Sequence, residues 1–310
     1  MDFRKPPLLD SLTPFSRILF SLLLVIACFA ITFFAGLLLA GPLFGISMKE
    51  IMETLSDVEN PQTIHVLKYF QVIQSFGLFI FPAMLAGYFF ERSSARYLAL
   101  SKPSGWLIYL ATLVLMFACL PLINWMVTVN ESMKLPGFLS GMEEWMKTTE
   151  EQAAKLTDTF LIMPSVGVLI FNLVMIALLP AIGEEFLFRG LLQRLVKEWL
   201  GNIHVAIFIA AFLFSALHMQ FYGFLPRMML GVMFGYLFYW SGSLWVPIWG
   251  HFINNGSAVI FAYLGQHGFL SGNYEDFGAT ENVFYIILSG LAVTALLLFV
   301  FRKRSAEQPG

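Results

Sequence analysis

Two adjacent carboxylates, Glu184 and Glu185, stand inside an apolar run that reads Ala-Leu-Leu-Pro-Ala-Ile-Gly-Glu-Glu-Phe-Leu-Phe-Arg-Gly from 177 to 190. An ionisable side chain in such a setting is expensive enough to be a functional candidate by default. On a helix Glu185 and Arg189 are i,i+4 neighbours and can pair. Glu184 points about 100° further round the helix, away from that partner, which suits a general base. The bland alternative makes the pair, with Arg189 and Arg194, a helix end at the membrane interface. A second polar group ends the run Phe-Ile-Ala-Ala-Phe-Leu-Phe-Ser-Ala-Leu-His at His218. A third lies in Trp-Gly-His-Phe-Ile-Asn-Asn-Gly, residues 249 to 256. His251 and Asn255 face one way there and offer two donors, either to an oxyanion or to a neighbouring helix as a polar clasp.

These residues need elements to hold them together. Leu200-Gly201-Asn202 reads as a turn, with Gly201 as a helix C-cap. Glu184 lies 17 residues before Gly201 and His218 lies 17 after it. Two antiparallel helices would therefore bring both side chains to one depth, about 25 Å from the turn at 1.5 Å per residue. This requires the helix that carries Glu184 to continue to residue 199. A hydrocarbon core takes about 20 apolar residues per crossing. Eight runs qualify as expected spans: 17–41, 69–90, 105–128, 160–187, 203–220, 224–240, 244–265 and 282–301. Despite Arg4, Lys5 and Arg17 ahead of it, the first is too long for a signal-peptide core and is read as a retained helix.

The composition agrees. Of 310 residues 58% are hydrophobic and only 12% charged, against about 25% charged in soluble domains. An ordinary soluble enzyme, a disordered tail and a nucleic-acid-binding domain are excluded; a net charge of −2 offers nucleic acid no basic footprint. Cys28 and Cys119, both in apolar runs, make no disulfide framework. The fold expected is an all-α polytopic bundle of about eight spans. Eleven basic residues flank one side: Arg4, Lys5, Arg17, Arg92, Arg96, Lys102, Arg194, Lys197, Arg302, Lys303 and Arg304. Five fall on the other: Lys49, Lys68, Lys134, Lys147 and Lys155. Both termini are then cytoplasmic. The outer loops are acidic, with Glu50, Glu53, Asp57 and Glu59, then Glu143, Glu144, Glu150, Glu151 and Asp158. Segment 139–156 is amphipathic, suited to the outer membrane surface or to a solvated loop helix. Arg227 and Tyr236 are candidates to support a cavity, though their spacing demands neither; His65, His204 and His267 read as ordinary.

Together the three polar segments resemble the signature of the CPBP family, named for CAAX proteases and bacteriocin-processing enzymes and also called Abi. The signature is Glu-Glu-x-x-x-Arg, then Phe-x-x-x-His, then His-x-x-x-Asn. It stands in this chain as Glu184-Glu185-Phe-Leu-Phe-Arg189, Phe214-Ser-Ala-Leu-His218 and His251-Phe-Ile-Asn-Asn255. The resemblance covers about residues 165 to 265, and the first 160 carry no motif of the family. It implies a protease core over 161–268. Ahead of this lie N-terminal helices and outer loops over 1–160, and after it a last helix and basic tail over 269–310.

The resemblance further implies an intramembrane endopeptidase in which Glu184 and His218 activate a water. His251 and Asn255 would hold the oxyanion, with Glu185, Arg189 and Phe214 in support. The family has also been described as metalloproteases. Glu184, His218 and His251 are three ligands for a zinc with an open fourth position, or the same residues run a metal-free hydrolysis. The metal-free form is preferred, because an oxyanion pair already uses His251. The partners implied are membrane lipids and a membrane-associated peptide or protein, in a bacterial plasma membrane, as in bacteriocin maturation or self-immunity. Two readings compete: a transporter or channel relaying protons through Glu184, Arg189 and His218, with Pro180 and Gly183 marking a broken helix, and a catalytically silent immunity or scaffold protein.

Overall fold

The computed structural model describes residues 6–47, 49–51, 61–270 and 277–307. Arg4 and Lys5 of the basic flank, and Glu53, Asp57 and Glu59 of the acidic loop, lie outside the described residues. Among those described every regular element is helical. The long helices are α1 (Pro14–Phe44), α2 (Thr63–Glu91), α3 (Trp106–Ala118), α4 (Leu120–Ser132), α5 (Ser140–Phe160) and α6 (Val166–Leu200). They continue with α7 (Ile203–Ala216), α8 (Phe224–Ser241), α9 (Trp245–Gln266) and α10 (Val283–Glu307). The chain is a helical membrane protein. Its outer faces show why: Leu23, Ile31, Leu38, Phe284 and Leu291 are all more than 60% exposed, and only lipid makes that arrangement favourable.

Among the described residues α1, α2, α6 and α10 are long and apolar enough to cross a bilayer, and α3 with α4 makes a fifth if the bent pair is one span. Eight runs are expected from hydropathy, so the remaining three differ. α7 has only 14 residues. α8 carries Arg227, and α9 carries His251, Asn254, Asn255 and Gln266, so both lose apolar character where they gain polar groups. The 43° bend between α3 and α4 sits at Pro121, whose ring cannot continue the hydrogen-bond ladder. Ser289 Oγ on α10 donates to Ala118 O at this break, at 2.6 Å.

α6 is the organising helix. Gly201, with φ of 71°, ends it in the left-handed region that glycine adopts without strain. The Asn202 side chain then accepts from His204 N and Val205 N to start α7. α6 is not uniform: wide π-helical turns at Leu173–Leu178 and Phe186–Leu192 flank the short α-helical piece Leu179–Glu185. Such turns frequently mark functional sites.

α7 and α8 form an antiparallel hairpin whose two helices approach closely at two glycines one turn apart on α8, Gly231 and Gly235. A Cβ on Gly231 would lie 2.9 Å from Ala211 Cβ, and one on Gly235 would lie 2.8 Å from Ile207 Cγ2. Small-xxx-small spacing of this kind lets membrane helices approach closely. Arg189 Nη2 and Gln193 Nε2 of α6 donate to the Gly231 and Gly235 carbonyls, each at 3.2 Å. Gly231→Leu is therefore expected to lower stability by about 1–3 kcal/mol and to displace Arg189. Thermal unfolding in detergent is the check, with Gly290→Leu, at an open position, as the unaffected control.

Lys68 departs from its expected place in an outer loop. Helix α2 begins earlier than the apolar run suggests, so Lys68 lies inside it and is buried. Its Nζ donates to Asn172 Oδ1 at 3.0 Å and lies 5.9 Å from the Phe160 ring centre. Asn172 passes the network on by donating to Phe160 O at 2.7 Å.

Candidate active site

The piece of α6 that carries the two carboxylates is pressed against α2: a Cβ on Gly183 would meet Phe79 Cβ at 2.8 Å. Glu185 and Arg189 pair as their spacing suggests, with Nη1 to Oε1 at 2.7 Å and both side chains almost wholly buried. Arg189 also lies 4.5 Å from the Phe214 ring centre and 5.5 Å from that of Phe234. The same Glu185 oxygen accepts from His251 Nδ1 at 2.9 Å. Since a carboxylate oxygen only accepts, His251 carries a proton on Nδ1 and turns Nε2 toward Glu184.

Glu184 Oε2 lies 3.8 Å from His251 Nε2 and 3.9 Å from His218 Nε2. It is buried and has no hydrogen-bond partner within the protein. His218 lies just beyond the end of α7, and its Nδ1 donates to Phe214 O at 2.7 Å. In its neutral form that leaves Nε2 as an acceptor facing the carboxylate. Phe214 packs edge-on against both imidazoles, at 4.9 Å from His218 and 6.0 Å from His251. Phe234 stacks on the His251 ring at 5.4 Å.

Asn255 Nδ2 donates to Ile176 O at 3.3 Å. Ile176 lies in the wide-turn segment of α6 just before Pro180, so the asparagine ties α9 to α6 at the level of the proline. One amide hydrogen satisfies the helix and the second remains for another acceptor. Glu184, His218, His251, Asn254, Asn255 and Arg227 are the polar groups lining a cavity of about 430 Å³, whose other walls are largely apolar. The His218 side chain is 30% exposed against 5% for His251 and 13% for Glu184, so His218 sits on the open side.

Residues 166–257 match the family described as type II CAAX prenyl endopeptidase, Rce1-like. These residues form an Rce1-like domain. They hold all three polar segments: Glu184, Glu185 and Arg189; Phe214 and His218; His251 and Asn255. The chain is also 31% identical over 86 residues to the uncharacterized protein YpbD of Bacillus subtilis (strain 168), a match covering 26% of this chain and 41% of that protein. No solved structure matches.

Two residues of the Rce1-like domain, Asn254 and Phe234, join the site without having been singled out from sequence. Asn254 lines the cavity and donates to Asn255 Oδ1 at 3.1 Å. Phe234 flanks His251 and Arg189. Arg227, a candidate by type alone, lines the cavity and is held by Gln220 at 2.8 Å. Tyr236 stays away from it and bonds His204 Nδ1 at 2.7 Å. Asn130 and Glu150 stand outside the domain yet secure the loop that carries His218. Asn130 bonds Phe221 O and Leu225 N, Glu150 accepts from Tyr222 N, and Trp145 of α5 packs on Phe221.

A zinc ion would need three protein donors in tetrahedral placement with a fourth position open. Both imidazoles keep Nδ1 as a donor and turn Nε2 inward, as metal-binding histidines do. However, tetrahedral zinc places its ligand atoms about 3.4 Å apart, and the separations from Glu184 are 3.8 and 3.9 Å. Among the described residues no group of three or more His, Cys, Asp or Glu is arranged to hold an ion.

Proposed function

We propose that the Rce1-like domain hydrolyses a peptide bond in a membrane-associated peptide or protein, with Glu184 as general base. One observation carries this reading: a buried Glu184 oxygen without a protein donor faces two imidazole nitrogens across a cavity of substrate size. A water in that gap would donate one hydrogen to Glu184 Oε2 and the other to His218 Nε2, each from about 2.8 Å. Its oxygen attacks the carbonyl carbon, and Glu184 takes the proton. The oxyanion is held by the second Asn255 amide hydrogen and by His251 Nε2, whose proton comes from solvent before substrate binds and stays on the ring through the turnover. A doubly protonated ring can hold Glu185 at Nδ1 and the oxyanion at Nε2 together. Glu184 then passes its proton to the departing amine as the C–N bond breaks. Arg189 and Glu185 position His251 and touch no reacting atom.

This scheme draws nothing from a metal, so strong chelator is expected to leave cleavage within about twofold of the untreated rate, whereas catalytic zinc contributes several kcal/mol. Chelator titration of detergent-purified protein, paired with metal analysis, is the measurement.

The setting proposed is a bacterial plasma membrane crossed eight times, with α7, α8 and α9 crossing beside α1, α2, α3–α4, α6 and α10. Both termini are then cytoplasmic. Moving Lys68 into the bundle leaves four of the five outer basic residues against eleven, which sharpens the charge asymmetry. The test compares the membrane proteome of cells carrying wild type with that of cells carrying Glu184→Ala. A cleavage present only with wild type is expected. If none differs, and a prenylated reporter peptide also stays intact, the reading fails.

A further inference from the structure

A second cavity, of about 340 Å³, lies at the α6–α7 turn and is lined by Gln193, Arg194, Lys197, Glu198, Phe238 and Tyr239, among others. Nothing in the hydrolysis uses it. The Arg194 guanidinium lies between the rings of Tyr97 and Phe238, at 5.5 and 5.2 Å. It has no hydrogen bond and no ion pair among the described residues. The two carboxylates whose charge it feels are engaged elsewhere: Glu198 with Arg17 at 3.5 Å, and Glu91 with Arg96 at 3.7 Å. Lys197 adds a second cation at the rim, 6.0 Å from the Tyr239 ring centre. A guanidinium flanked by two rings, with no hydrogen bond among the described residues, is free to meet a phosphate through paired charge-assisted bonds.

Gln193 lines the same cavity and brings an unpaired acceptor to it. Gln193 is buried, and its Nε2 is committed to Gly235 O, yet its Oε1 has no partner. A buried acceptor left unmade is costly, so a ligand that supplies an N–H or O–H there gains accordingly. The surroundings place the cavity at the end of a membrane span. Trp199 and Leu200 beside it are exposed, and Trp199 packs on Phe15 at 5.2 Å, in the manner of interfacial anchors.

We propose that this cavity binds a phosphate carrying a hydrogen-bond donor a few atoms away, the chemistry of a phosphatidylglycerol or phosphatidylethanolamine headgroup. Arg194 and Lys197 take the phosphate, and Gln193 Oε1 accepts from the hydroxyl or ammonium. Basic pockets between spans at this depth suit such headgroups. Soluble glycerol phosphate offers the same chemistry without acyl chains.

The test is native mass spectrometry of the full chain released from nanodiscs of phosphatidylglycerol, phosphatidylethanolamine or phosphatidylcholine, with glycerol 3-phosphate as a separate soluble arm. Wild type is expected to retain phosphatidylglycerol or phosphatidylethanolamine over phosphatidylcholine, whose quaternary ammonium cannot donate. Arg194→Gln, and separately the exposed Lys197→Gln, should each lower retention about tenfold, one lost charge-assisted bond, while cleavage activity stays within the wild-type range. Because Arg194 packs between two rings, Lys197→Gln keeps the test open should Arg194→Gln fold poorly. Binding of glycerol 3-phosphate with no lipid preference would support the phosphate site and assign it to a soluble source. Equal retention of all three lipids by wild type and by Lys197→Gln, with no glycerol 3-phosphate bound, overturns the proposal and leaves the hydrolytic reading untouched.

Discussion

Arg189→Met is expected to destabilise the protein by about 3–5 kcal/mol, because it strands a buried carboxylate. Glu185 is fully buried, and one of its oxygens already lacks a partner. The other receives both Arg189 and His251, at 2.7 and 2.9 Å. Removing the guanidinium leaves that charge facing one imidazole, and also frees Gly231 O and the Phe214 ring face that Arg189 covers. The double variant Glu185→Gln/Arg189→Met removes the stranded charge with its partner and should recover a large part of the loss. Thermal unfolding of the purified protein in detergent separates the cases. A double variant as unstable as the single one would mean that the guanidinium contributes by packing instead of by charge.

Glu184→Gln is expected to do the reverse. Its Oε2 makes no hydrogen bond within the protein, so the substitution removes no protein contact and exchanges a buried charge for a neutral amide. Stability should match or exceed wild type. Cleavage should fall by about 10²- to 10⁴-fold, the usual contribution of a positioned base, because an amide cannot take the proton. Stability and rate are then expected to separate at adjacent residues, with Glu185 serving the frame and Glu184 the proposed reaction. Measuring kcat beside the unfolding midpoint for both variants makes that separation visible.

Some of this arrangement was readable in advance. The equal count of 17 residues either side of Gly201 brought Glu184 and His218 to one depth, and the i,i+4 spacing paired Glu185 with Arg189, because both follow from helical rise and turn alone. The bond between Glu185 and His251 was not readable, since it joins two helices 66 residues apart and no period within either one encodes it. Pro180 and Gly183 suggest a broken helix, yet α6 runs unbroken from Val166 to Leu200; the wide turns around Pro180 and the bond from Asn255 to Ile176 O leave no mark in the sequence. The Gly231-xxx-Gly235 spacing was in plain sight, and it is the one missed signal that sequence alone offered. Lys68 was misplaced because hydropathy locates a helix by its apolar stretch, whereas α2 starts with a polar turn that the bundle buries. The same effect lowers the number of spans recognised by composition: the helices that line the cavity carry its polar groups.

The proposed function requires the cavity to be hydrolytic and not a path for protons. Its most direct test is to reconstitute the protein in vesicles and follow, in the same preparation, cleavage of a prenylated reporter peptide and proton flux across the bilayer. The account predicts cleavage by wild type, loss of that cleavage in Glu184→Gln, and no proton flux from either. Proton flux by wild type that Glu184→Gln abolishes, with the peptide intact throughout, would contradict it.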